Sequence, residues 1–169
     1  MKHQFFKTFT VVVAIVILAL PSQANQEETL KFECDTQGNI PLSIVEINQG
    51  GKSEKRTFLT WLTEYFPDRT IAQENCQNVA QKLQNLYRQG ELETISLTPA
   101  IVDEKSVVCI QGKIETGCEE GLVLFSLENV DTPGYALRQM MPENLREKAS
   151  VTVRGDFPTR LNFGWLPFF

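Results

Sequence analysis

Four cysteines carry most of the chemistry this sequence has to offer: Cys34, Cys76, Cys109 and Cys118. As thiolates they would be nucleophiles or metal ligands; in pairs they become covalent braces. The spacing favours braces, because zinc draws on closely spaced Cys or His pairs and no Cys-x-x-Cys occurs. An even cysteine count in an exported chain reads as two disulfides, for which three pairings are open. The favoured set joins Cys109 to Cys118 across the arms of a hairpin, and Cys34 to Cys76 between a first strand and a helix. In unstrained geometry, loop-closure entropy would make these worth about 2.7 and about 4 kcal/mol respectively.

The rest of the catalytic repertoire is thin. The only histidine, His3, lies in a leader expected to be cut away. Ser-His-Asp and Cys-His mechanisms are then closed, as are histidine metal sites. Carboxylates remain: Glu91 with Glu93, Asp103-Glu104, and Glu119-Glu120. Two of them could form an acid/base pair, yet each adjoins a turn signal, where solvated charge is the normal state. Gly50-Gly51 leads to no helix of the kind a phosphate loop requires. Arg154-Gly155-Asp156 is too short a match to argue from. The residues therefore assign no catalytic group, no metal and no cofactor. A carboxylate-based extracytoplasmic hydrolase is the alternative, and a small-ligand or inhibitor module with a pocket beside Trp61 is a third reading. Trp61 itself reads as a core anchor in preference to a ligand platform.

The leader is residues 1–24. Lys2 and Lys7 precede an uncharged run from Thr8 to Leu20, and Pro21-Ser22-Gln23-Ala24 offers small residues before a cut. That is the three-part pattern of a secretory signal peptide. The apolar run, at 1.5 Å per residue, reaches only about 20 Å, short of the roughly 30 Å needed to span a bilayer. Its removal takes two lysines and no acid, so the formal net charge moves from −5 to −7. Such a balance repels phosphate backbones and argues against nucleic acid as a partner. What is left is enough for one domain.

The elements that must position these residues follow from pattern. Phe32-Glu33-Cys34 is a short opening strand and Leu42–Ile47 a second, followed by a turn over 48–52. Thr57–Phe66 is β-branched and aromatic and reads as a strand over much of its length, with helix as the alternative. After Pro67, Ala72, Cys76, Val79, Leu83 and Leu86 recur at steps of four and three, one apolar stripe of a helix. Thr70-Ile-Ala-Gln73 fits a capping box, Asp68 is a competing cap, and Gly90 suits the stop. Leu92–Leu97, Ser106–Ile110 and Leu122–Leu127 are further strands, with hairpin turns at 103–105 and 112–121. A second helix is expected from Pro133, capped by Asp131 or Thr132 and interrupted at Pro142. The fold class is α+β: an antiparallel sheet of about five strands, one long helix across a face, and two disulfides.

Residues 151–169 differ in character. Phe157, Phe163, Trp165, Phe168 and Phe169 place five aromatics in thirteen residues. Such a segment either packs on the domain or presents an apolar patch to a protein partner or membrane surface. On the second reading, deleting 157–169 would leave the fold intact and release the protein from membranes.

Taken in order, Phe32-x-Cys34, the Trp61 segment ending in Phe66, Asn75-Cys76 opening a Leu-rich helix, Val107-Val-Cys109 and Cys118-x3-Leu122-Val-Leu-Phe-x-Leu127 make a composite pattern. Over roughly residues 30 to 145 it resembles the circadian oscillating protein family of cyanobacteria. The resemblance implies an exported protein without an established catalytic activity, with peripheral attachment to a membrane among its options. The domain plan is then a signal peptide at 1–24, the family-like domain at 25–150 and an aromatic extension at 151–169. The expected role is non-catalytic binding or assembly in the periplasm or another extracytoplasmic space.

Overall fold

The computed structural model describes residues 29–112, 118, 122–147, 161–163 and 166. The signal peptide expected at 1–24, Glu119-Glu120 and most of the 151–169 extension lie outside them. The strands are β1 (Thr29–Asp35), β2 (Leu42–Gln49), β3 (Lys52–Thr60), β4 (Ile95–Val102), β5 (Lys105–Gly112), β6 (Val123–Leu127) and the two-residue β7 (Leu161–Asn162). The helices are α1 (Arg69–Gln89), α2 (Pro133–Met140) and α3 (Glu143–Arg146).

The α+β class and the two disulfides are as expected, but the single sheet of about five strands is not. The strands form two antiparallel sheets, one ordered β1-β2-β3 and the other β6-β5-β4-β7. The helical part is likewise divided, into α1 and the two shorter helices after Pro133. The physical reason for the split lies at the edges of the first sheet. On one side the Gln84 carboxamide accepts from Phe32 N–H at 2.8 Å and donates to Leu30 C=O at 3.3 Å, filling places a next strand would use. On the other, β3 presents exposed Lys52, Glu54 and Lys55, charges that blunt an edge.

Local chemistry explains each element. Gly50 and Gly51 both take positive φ (57° and 77°), the two-residue turn that joins β2 to β3. β3 begins directly after this turn and ends at Thr60, so the strand expected through Phe66 stops early. Beyond it Trp61 N–H still reaches Pro41 C=O, and a 3-10 turn at Thr63–Tyr65 then leads toward Pro67. Asp68, not Thr70, caps α1: its carboxylate accepts from Ile71 N–H at 2.9 Å. Gly90, at φ 73°, closes the helix in the left-handed region. Ala72, Cys76, Val79, Ala80 and Leu83 are its buried residues. Leu92–Thr94, expected as strand, is a 3-10 turn, and β4 starts at Ile95. Pro133 takes the first turn of α2, where its missing N–H costs nothing, but Thr132 makes no capping bond.

One core serves both sheets. Leu30, Phe32, Val45, Ile47 and Phe58 from the first meet Val79 and Leu83 of α1, Leu97, Val108 and Phe125 of the second, and Leu137 and Met140 of α2. The joint is aromatic: the Trp61 ring lies 4.8 Å from Phe125 and 5.4 Å from Phe66. Phe163 is 1% exposed and sets its ring edge-on to Phe32 (6.2 Å) and Phe58 (6.3 Å), with Leu166 buried nearby in sequence.

Candidate binding groove

Cys34 on β1 bonds Cys76 on α1, and Cys109 on β5 bonds Cys118. The first bridge fixes the helix beside the edge of β1. Beneath it runs a buried polar chain. Trp61 Nε1–H donates to Ser43 Oγ at 2.8 Å, and Ser43 Oγ lies 3.7 Å from Cys76 Sγ. All three side chains are fully buried. Trp61 is therefore a core anchor whose one donor is satisfied, as the sequence reading preferred.

Between β1 and α1 lies an open groove of about 470 Å³. Phe32, Glu33 and Cys34 line one side; Gln77, Gln81, Gln84 and Arg88 line the other, at helical steps of four, three and four. This polar stripe runs next to the buried stripe through Cys76, Ala80 and Leu83. Gln77, Gln81 and Arg88 are exposed, and their side chains hydrogen-bond to no described residue. Gln84, half-buried, is the exception, spent on the edge of β1.

Electrostatics at the rim come from a cluster on the outer face of the first sheet. Lys31 pairs with one oxygen of Glu33, and Lys55 Nζ lies 3.5 Å from the other. The hydrogen bond from Lys31 holds the Glu33 carboxyl below its ordinary value, aided by both lysine charges. The same bond raises Lys31. Glu54 is lowered in the same way by its hydrogen bond from Arg56, whose Nε lies 2.7 Å away. Burial pushes the Tyr65 phenol up, with the Glu64 charge adding to it.

Among the described residues, the carboxylates singled out from sequence lie at opposite ends of β4. Glu91 and Glu93 flank the Leu92 turn, and Asp103 and Glu104 form the exposed tip of the β4–β5 hairpin. Among the described residues no group of three or more His, Cys, Asp or Glu is placed to hold a metal ion. A second cavity, of about 430 Å³, opens beside Ser106, Ser126 and Val130. Neither cavity is lined by Trp61. Of the five aromatics read either as packed on the domain or as a contact patch, Phe163 is buried in the core. Phe157, Trp165, Phe168 and Phe169 lie outside the described residues. Sequence reasoning missed Gln77, Gln81, Gln84 and Arg88 as a unit. Their signal was there in the 4-3-4 spacing beside Cys76.

Among the described residues, no helix is long and apolar enough to cross a membrane. Two disulfides suit an oxidising, non-cytoplasmic environment. No curated protein and no solved structure matches the chain. Residues 31–160 match the family model described as Circadian oscillating protein COP23, which covers most of the sequence and every paired cysteine. The chain belongs to the circadian oscillating protein COP23 family.

Proposed function

We propose that this chain is exported and acts outside the cytoplasm as a non-catalytic binding domain, with the β1–α1 groove as its contact surface. The observation that carries the reading is the stripe of Gln77, Gln81 and Arg88, disengaged from the rest of the described chain, facing a strand edge that a disulfide holds in place. Unspent donors and acceptors carried on a helix that a disulfide fixes to the sheet suit a recognition surface, because the backbone that presents them needs no reordering on binding. The leader-like start and the paired cysteines support a location outside reducing compartments. Peripheral attachment through Phe157, Trp165, Phe168 and Phe169 is an accessory part of the proposal, with a membrane surface or a second protein as its target.

A photo-crosslinking side chain tests the surface directly. Placed at Gln81 in the full chain in cells, it is expected to give adducts in the extracytoplasmic fraction. The same group at Lys52, on the far edge of the first sheet, is expected to give none. Equal yields at the two positions, or processed protein confined to the cytoplasm, would overturn the reading.

A further inference from the structure

The two bridges share an outline but differ in what surrounds them. In each, one cysteine is fully buried, Cys76 in the first and Cys109 in the second, while its partner, Cys34 or Cys118, is partly exposed. A thiolate that attacks one sulfur of a disulfide expels the other. Here it can reach only the outer sulfur, so the buried one must leave as a thiolate. What lies against that buried sulfur therefore sets how easily each bridge opens. Cys76 Sγ lies 3.7 Å from Ser43 Oγ. A bridged sulfur carries no proton, and the Trp61 indole already donates to the same oxygen at 2.8 Å. The Ser43 hydroxyl proton is thus the one that can point at Cys76. Cys109 Sγ instead lies 3.3 Å from the Thr98 carbonyl oxygen, which can only accept. A donor favours negative charge on the sulfur it faces, and a carbonyl oxygen opposes it. Cys34 also lines the groove, which gives an incoming thiol its approach.

We propose that Cys34–Cys76 is the exchangeable bridge of the two, and that a dithiol opens it at Cys34. One thiolate of the dithiol, its proton given to water, attacks Cys34 Sγ. A mixed disulfide forms there as the Cys34–Cys76 bond breaks, and the bonding pair leaves on Cys76 Sγ, against the Ser43 hydroxyl. Cys76 takes up the proton that the second thiol of the reductant gives up. That second sulfur, now a thiolate, attacks the reductant's own sulfur in the mixed disulfide and releases Cys34, which takes a proton from water. The dithiol ends as a disulfide, and two electrons and two protons have passed to Cys34 and Cys76. Once opened, the bridge no longer ties α1 to β1, so a dithiol acts as a release for the groove wall. That consequence rests on the groove being the contact surface; the exchange itself does not.

The test uses the processed, fully bridged chain under native conditions, with dithiothreitol as the dithiol. Samples taken over time are alkylated, digested and read by mass spectrometry. Cys34 and Cys76 are expected to become alkylatable at least about tenfold faster than Cys109 and Cys118. With glutathione, a monothiol, the mixed disulfide is expected on Cys34 and not on Cys76. Both bridges opening at one rate, Cys109–Cys118 opening first, or a glutathione adduct on Cys76 overturns the proposal. These wild-type results decide it even where a variant at Ser43 fails to fold. In Ser43→Ala, shown to be folded by circular dichroism, the ratio of the two rates is expected to fall toward one, and Ser43→Thr, which keeps the hydroxyl, should preserve it. An unchanged ratio in folded Ser43→Ala removes the hydroxyl from the account. For the groove, crosslinking from Gln81 in the extracytoplasmic fraction is expected to drop once the first bridge alone is open and to return on reoxidation. Adducts that persist with that bridge open reject its control of the groove. Absence of adducts from the bridged chain rejects the groove and leaves the exchange standing.

Discussion

Ser43 occupies a position where a small hydroxyl has two duties, accepting from the Trp61 indole and lying against Cys76 sulfur. Ser43→Ala leaves the buried indole N–H without a partner, which costs about 1 to 3 kcal/mol. Trp61→Phe alone is costly as well, through lost volume. Because both changes break the same bond, the double variant is expected to lose less than the two single losses added together. Urea denaturation of the four proteins checks this, and strict additivity would dissolve the proposed link. Glu33 gives a second residue-scale expectation, in pH. Its folded carboxyl titrates below the ordinary 4.5, so its contribution is complete above the unfolded value. That contribution disappears as pH falls through the folded value. The stability gap between the wild type and Glu33→Gln is therefore expected to be flat above about pH 5.5 and to close on acidification. Thermal melts across that window measure it; a gap that widens in acid contradicts the assignment. The gap should be small, because the ion pair is solvent-facing.

At the scale of elements, the β4–β5 hairpin departs from economy. Asp103 and Glu104 both take positive φ (49° and 64°), where residues with a Cβ are disfavoured, and together they form its two-residue turn. Replacing the pair by Asn-Gly is expected to stabilise the protein by about 1 kcal/mol, read as a higher denaturation midpoint with unchanged slope. A lower midpoint would show that the acidic pair makes contacts worth more than its strain. Much of the element order was legible from pattern alone. The 4-3 stripe of α1, the glycine turn at 50–51 and the apolar runs of β2, β5 and β6 each carry a local signal. Ser53–Arg56 was not legible as strand, since those residues are polar and mostly exposed and show no alternation. Nor was the role of Gln84, because a glutamine on the outer side of a helix reads as solvated until the strand beside it is known. The division into two sheets depends on which edges are closed, and edges are a property of the assembled fold.

The whole molecule is closed by a residue from far along the chain. Phe163 fits edge-on against Phe32 and Phe58, and Leu166 is buried with it. An aromatic tail reads the same from sequence whether it docks on its own domain or on another surface, which is why both readings of Phe163 stayed open there. Deleting residues 157–169 is now expected to destabilise the domain, by the roughly 3 to 5 kcal/mol that losing a buried phenylalanine costs. Phe163→Ala should reproduce most of that loss. An unchanged melting temperature after Phe163→Ala would place that ring outside the core.

The braces on which groove and core both depend can be read from intact protein. Purified without reductant from the extracytoplasmic fraction, alkylated and digested, the processed chain is expected to yield one peptide pair linked through Cys34 and Cys76 and one through Cys109 and Cys118. No alkylated cysteine should be found. Four alkylated cysteines, or links joining Cys34 to Cys109 or Cys118, would contradict the account at its base.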